Sequence, residues 1–108
     1  MTEKSTFVGA VDTGEWEPFE AGEIKTLRAV PDTPYLSGVW RVTPEQAPEP
    51  QDVHMHADET VYIVEGHVTV EVDGEVLELR AGSFAAFKKG SSTRWTVREP
   101  TLEFFVYS

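Results

Sequence analysis

Two histidines one residue apart, His54 and His56, with an acid at Glu59 soon after, form the grouping in this chain best suited to chemistry. On an extended strand, side chains two apart point to the same side. If residues 54–56 are extended, both imidazoles converge on one point while Met55 turns away. Glu59 begins the next extended run after Ala57-Asp58 and is the third candidate ligand. Two imidazoles and a carboxylate with open positions opposite suit a divalent transition metal: manganese, iron, nickel or zinc. Such an ion acts as a Lewis acid or a source of hydroxide, and activates dioxygen if it is iron. Asp58, one residue earlier, is the competing carboxylate and is expected to face the other way. The plain alternative is a surface strand, whose alternation produces His-x-His without function. His67 opens a separate strand after the turn at Gly66 and reads as a half-exposed rim histidine rather than a ligand.

Other chemistries fall away. The chain has no cysteine, which removes disulfide frameworks, thiolate nucleophiles and cysteine zinc sites together. No Ser-His-Asp arrangement can be argued and no glycine-rich phosphate loop is present. No carboxylate pair stands out among nineteen acids. Those acids against nine bases give a formal charge of −10, which repels phosphate backbones and anionic lipid heads, so no nucleic-acid or membrane partner is expected. The start "MTEKSTFVGAV" lacks a basic stretch followed by a long apolar one, and no segment approaches membrane-spanning length. A cytoplasmic location is the expectation.

The elements that must position these residues are strands. At 108 residues the chain suits one domain with one core. Seven prolines and eight glycines cut it into short pieces, and nothing offers a long run of helical period. "TVYIVEG", "HVTVEVDGEVLEL", "TRWTV" and "LEFFVY" are rich in β-branched and aromatic residues and bounded by turn formers. Val68, Val70 and Val72 share one face, Thr69 and Glu71 the other, and Asp73-Gly74 predicts a tight hairpin turn. "IKTLRAV" and "YLSGVWRV" read as further strands, with Leu36, Trp40 and Val42 inward. "TPEQAPEPQD", residues 43–52, carries three prolines and reads as an exposed loop. Residues 1–15 read as an N-terminal arm, flexible or swapped, ahead of a single domain over 16–108. The fold class is all-β: an antiparallel double-sheet sandwich or barrel.

The stretch "HMHADETVYIVEG" resembles the first motif of the cupin superfamily: His-x-His, a short gap, Glu, six residues, Gly. From Gly38 to Tyr107 the order of strands and turns resembles one subgroup, the small cupins related to ureidoglycine aminohydrolase, through "GVWRVTPE" and Gly90 with Trp95 five residues later. The resemblance implies a cupin jelly-roll barrel. It also shows departures. Only two residues separate His56 from Glu59 where three or four are usual, Pro48 and Lys88 replace a usual Gly and Pro, and Thr93 stands where the family has its fourth ligand, a histidine. At most three protein ligands remain for a metal.

In the cupin register the face carrying Thr93, Trp95 and Val97 is the barrel interior, which makes Thr93 and Trp95 pocket-lining candidates. Trp40 and Tyr62 join them, although core packing or an interface explains either equally well. Arg94 and Arg98 fall on the opposite, solvated face. Two functions follow. The first is a metal-dependent cupin holding a divalent ion on His54, His56 and Glu59 and acting on a small polar molecule, a ureido or related nitrogen compound by the subgroup resemblance. The second is a non-catalytic cupin with a degenerate metal site that binds or senses a small molecule. Cupins commonly pair through sheet edges, so a homodimer is expected, with the N-terminal segment or the strand at 102–107 in the interface.

Overall fold

The computed structural model describes residues 4–108, and every regular element among them is a β-strand. The ten strands are β1 (Glu17–Pro18), β2 (Glu23–Ala29), β3 (Leu36–Val42), β4 (Gln51–His54), β5 (Glu59–Glu65), β6 (His67–Val72), β7 (Glu75–Arg80), β8 (Phe84–Phe87), β9 (Ser92–Val97) and β10 (Thr101–Tyr107). They form a six-stranded sheet in the order β1-β2-β3-β10-β5-β8 and a four-stranded sheet in the order β4-β9-β6-β7. All recorded pairings are antiparallel.

Period-two alternation decides what fills the space between the sheets. Val61 and Ile63 of β5, Val68 and Val70 of β6, Leu79 of β7, Phe87 of β8, Trp95 and Val97 of β9 and Phe105 of β10 are buried in one cluster. Burying each of the larger aliphatic side chains stabilises the fold by roughly 1.5–3 kcal/mol. The expected inward set of β3 is correct: Val42 is buried, and Leu36 and Trp40 pack against the cluster. The β6–β7 hairpin closes through Asp73 and Gly74 at φ 50° and 78°, the left-handed pair that a two-residue hairpin turn needs. Gly66 links β5 to β6 at φ 99°. A Cβ there would lie 2.3 Å from the Pro100 carbonyl oxygen, so the turn requires glycine.

Three local features add to the sequence expectation. The proline-rich loop is shorter than residues 43–52, because β4 begins at Gln51 and pairs with β9. Ala47 within that loop is buried, held by a turn in which the Gln46 and Ala47 amides both donate to the Thr43 carbonyl. The described part of the N-terminal arm is tied to the chain's own β2: the Lys25 ammonium donates to the carbonyls of Ala10, Val11 and Thr13. The strand expected at 102–107 is no sheet edge, since β10 lies between β3 and β5. A partner can reach it only across its outer face.

Candidate functional site

The register of the histidine segment is the reverse of what a metal site requires. Past the end of β4 the Met55 amide donates to the Ser91 carbonyl at 2.8 Å and the Gly90 amide to the Met55 carbonyl at 2.8 Å, and the chain then bends at His56 and Ala57 before β5 begins. Burial still alternates from residue 53 to 59. Met55 at 1% exposure, Ala57 and Glu59 turn inward, while His54, His56 and Asp58 turn out. His56 and Glu59 are three apart, and across the short bend between them burial keeps alternating, which leaves the carboxyl inside and the imidazole outside.

Each outward group has its own partner. His54 Nδ1 lies 3.2 Å from Ser92 Oγ on the neighbouring strand. The His56 ring stacks on Tyr107 at the barrel rim, centroids 4.9 Å apart. Asp58 accepts the Lys89 amide at 2.8 Å, so the competing carboxylate lies on the histidine side and is used to close a turn. Among the described residues no three of His, Asp or Glu are grouped to hold a metal ion. His54, His56 and Glu59 are thus not drawn together as a group of three here.

What the barrel does enclose is an acid pair in an aromatic cavity. A cavity of about 100 Å³ is lined by Trp40, Trp95, Phe105, Tyr107, Glu59 and Glu103 among others, room for several waters or a small molecule. Trp40 and Trp95 meet edge to face, centroids 6.3 Å apart. Both indole N–H groups are spent on the protein. Trp40 Nε1 donates to the Ala21 carbonyl at 2.7 Å, and Trp95 Nε1 donates to Thr93 Oγ1 at 2.9 Å, which itself donates to the Val53 carbonyl. Thr93 is thus buried but does not line the cavity, contrary to expectation; it fixes Trp95. Tyr62 does not line it either. It lies on the outer face of the six-stranded sheet, 45% exposed, because inward positions of β5 have odd numbers.

The two acids reach the cavity from adjacent strands. Glu59 opens β5 opposite Tyr107 of β10, and the phenol hydrogen-bonds its carboxyl. Glu103 sits at a bulge: Leu102 opposes Glu65 but Glu103 opposes Ile63, leaving Val64 unmatched. Such a bulge re-aims the side chains beside it. Glu103 is 3% exposed, and its Oε2 has no hydrogen-bond partner. Burial lifts the Glu59 carboxyl from 4.5 to about 7, against the opposing effect of the Tyr107 hydrogen bond. Glu103 is pushed well above the carboxylate range by burial first and then by the Glu59 charge. Two acids without a cationic partner therefore share the interior, and each holds its proton more tightly than an exposed carboxyl does.

Glu103 was the residue sequence reasoning missed. Its signal was present: it is the sole acid in "TLEFFVY" and shares parity with Phe105 and Tyr107. The polar groups on the outside are ordinary by comparison. Arg94 holds Asp52 at 2.8 Å and keeps that carboxyl below its usual range. His67 Nε2 lies 2.7 Å from Glu78 Oε1, as a rim histidine should.

Two antiparallel sheets packed around an interior cavity define a cupin, a jelly-roll barrel. Within that class, residues 37–103 match the EutQ-like cupin domain, and the chain belongs to that family. The match supports the cupin assignment without confirming the ureidoglycine aminohydrolase subgroup. No curated protein matches the chain in sequence. Among solved structures, a putative ethanolamine utilization protein Q from Salmonella typhimurium is similar at TM-score 0.71 and 18% identity, covering 98% of this chain and 96% of that one. The Clostridium difficile EutQ protein is similar at TM-score 0.64 and 20% identity, covering 79% of this chain and 66% of that one. Apo-HppE is similar at TM-score 0.72 and 10% identity, covering 94% of this chain and 57% of that one. At these identities the likeness shows the fold.

Proposed function

We propose that this protein is a small-molecule-binding cupin whose ligand site is the cavity between Glu59 and Glu103, not the histidine pair. One observation carries the reading: Glu103 lines the cavity with a carboxyl that is itself buried, and its Oε2 has no partner among the described residues. A buried polar atom without a partner costs about 1–3 kcal/mol, and a ligand donor or ordered water that meets it recovers that cost. The metal reading through His54 and His56 needs residues from both faces of one segment. Iron in an HppE structure is a property of that protein. The ureido reading survives as a ligand class, since a ureido compound brings N–H donors to the acids.

The three tryptophans supply the test. Trp40 and Trp95 line the cavity, whereas Trp16 lies outside it against Lys25 and Arg41. In a small-molecule screen read by indole N–H resonances, compounds that bind here move Trp40 and Trp95 and leave Trp16 still. Compounds that instead move only the His54 and His56 imidazoles would refute the reading.

The homodimer rests on a different observation. Val39, Phe104, Tyr62 and Phe84 are register partners on β3, β10, β5 and β8, and all four turn outward. They draw one apolar row across β3, β10, β5 and β8, with Lys25 beside Val39 on β2 at one end and Phe84, 79% exposed, at the other. Such an apolar stretch is self-complementary under a two-fold axis, and covering it removes the largest aromatic exposure on the barrel. The occupant we propose is a second copy, facing the first across this row.

A further inference from the structure

The cavity has a chemical bias that narrows its ligand further than size does. Its described lining includes four acids, Glu20, Asp52, Glu59 and Glu103, and no lysine, arginine or histidine. Donors are equally scarce. The indole N–H groups are committed to Ala21 and Thr93, the Tyr107 hydroxyl to Glu59, and the Gln51 amide nitrogen donates to the Glu49 carbonyl. An anionic ligand would find acceptors and ring surface where it needs donors. A hard divalent metal wants several oxygens gathered at one point, and no three of the acids here are grouped to hold one among the described residues.

We propose that the cavity is a site for a small organic cation, an amine or ammonium compound of a few heavy atoms, held by the Glu59 and Glu103 carboxyls between the rings of Trp40 and Trp95. The proposal rests on the reading of the cavity as the ligand site and adds the sign of the ligand's charge. Three features converge on it. Glu103 lines the cavity with a carboxyl left without a full set of partners, and an ammonium N–H supplies a donor to it. The acid pair has no cation of its own, and a bound positive charge lets both carboxyls ionise together. Aromatic rings whose polar edges are already used present their π surface, which attracts cations and tolerates alkyl groups. The lone Asp52 among these acids that has a cation, Arg94, finds it on the outer face, so that guanidinium does not neutralise the cavity.

The experiment uses the full chain, labelled with nitrogen-15, and three probes of one size: propylammonium, 1-propanol and propionate, with N-methylurea as a neutral N–H donor. Propylammonium is expected to shift the Trp40 and Trp95 indole resonances saturably, with Trp16 unmoved, at an affinity at least tenfold above the other three. Glu103→Gln should lower that affinity at least tenfold while the spectrum stays dispersed; Glu59→Gln is the second variant and should act in the same direction. If 1-propanol, propionate or N-methylurea moves the barrel indoles as strongly as propylammonium, the cavity is a ligand site but the cation assignment is wrong. If no probe moves them, both readings fail. If propylammonium moves Trp16 as much as the barrel indoles, its binding is surface charge alone and the proposal falls.

Discussion

Replacing Glu59 by glutamine should remove a pH dependence of stability that the structure makes large. Burial raises this carboxyl from 4.5 to about 7. Between those values the folded protein keeps the proton and the unfolded chain has lost it. The folded state binds more protons, so stability falls as pH rises through this window. The gap, at about 1.4 kcal/mol per pH unit, amounts to about 3 kcal/mol between pH 4 and pH 8. For a domain of this length that is a fall in Tm of roughly 13 °C. Asp52 and Glu78, whose carboxyls are held low by exposed partners, act with the opposite sign, but equally in both proteins. The measurement is urea unfolding of wild type and Glu59→Gln at half-unit steps from pH 4 to pH 8. The difference between the two curves should grow by about 3 kcal/mol across the range, with the variant the flatter. Whatever constant the amide itself adds shifts the difference without changing its slope. Parallel curves would refute the reasoning, because they would mean that Glu59 is solvated or paired.

Glu103→Leu should raise stability at pH 7.5 by about 1–3 kcal/mol, since it exchanges an unpartnered buried polar atom for a methyl group, while abolishing small-molecule shifts at Trp95; chemical denaturation and the indole spectrum read the two effects. Met55→Ala should cost about 2–4 kcal/mol, whereas His54→Ala or His56→Ala should each change stability by less than about 1 kcal/mol; the reverse ranking would restore the inward histidines. Phe84→Glu places a charge in the outer apolar row and should convert a dimer to monomer by sedimentation velocity, with the thermal transition of the fold retained.

The barrel was legible because its signals are local. Val68, Val70 and Val72 alternate, Asp73-Gly74 turns, and Gly66 closes a strand, each for reasons confined to a few residues. The site was harder because it depends on parity and on pairing between distant strands. His-x-His draws the eye to residues 54 and 56, yet burial keeps alternating across the short bend from His56 to Glu59 and separates the carboxyl from the imidazoles. Trp95 and Trp40 were placed on the cavity by the same alternation that failed for Tyr62, whose even number turns it out of β5. Glu103 could not be ranked among nineteen acids until its strand was known to lie between β3 and β5 and the bulge at Val64 was seen. Thr93 shows the remaining gap: a vanished ligand position in the motif has become the acceptor that locks Trp95.

The central claim is that two acids lie buried and unneutralised inside this barrel. The most direct measurement is a carbon-13 titration of the Glu59 and Glu103 carboxyl resonances. The structure predicts a Glu59 midpoint near 7 and a Glu103 midpoint above the ordinary carboxylate range. Both carboxyls titrating near 4.5 would contradict it, and with it the site.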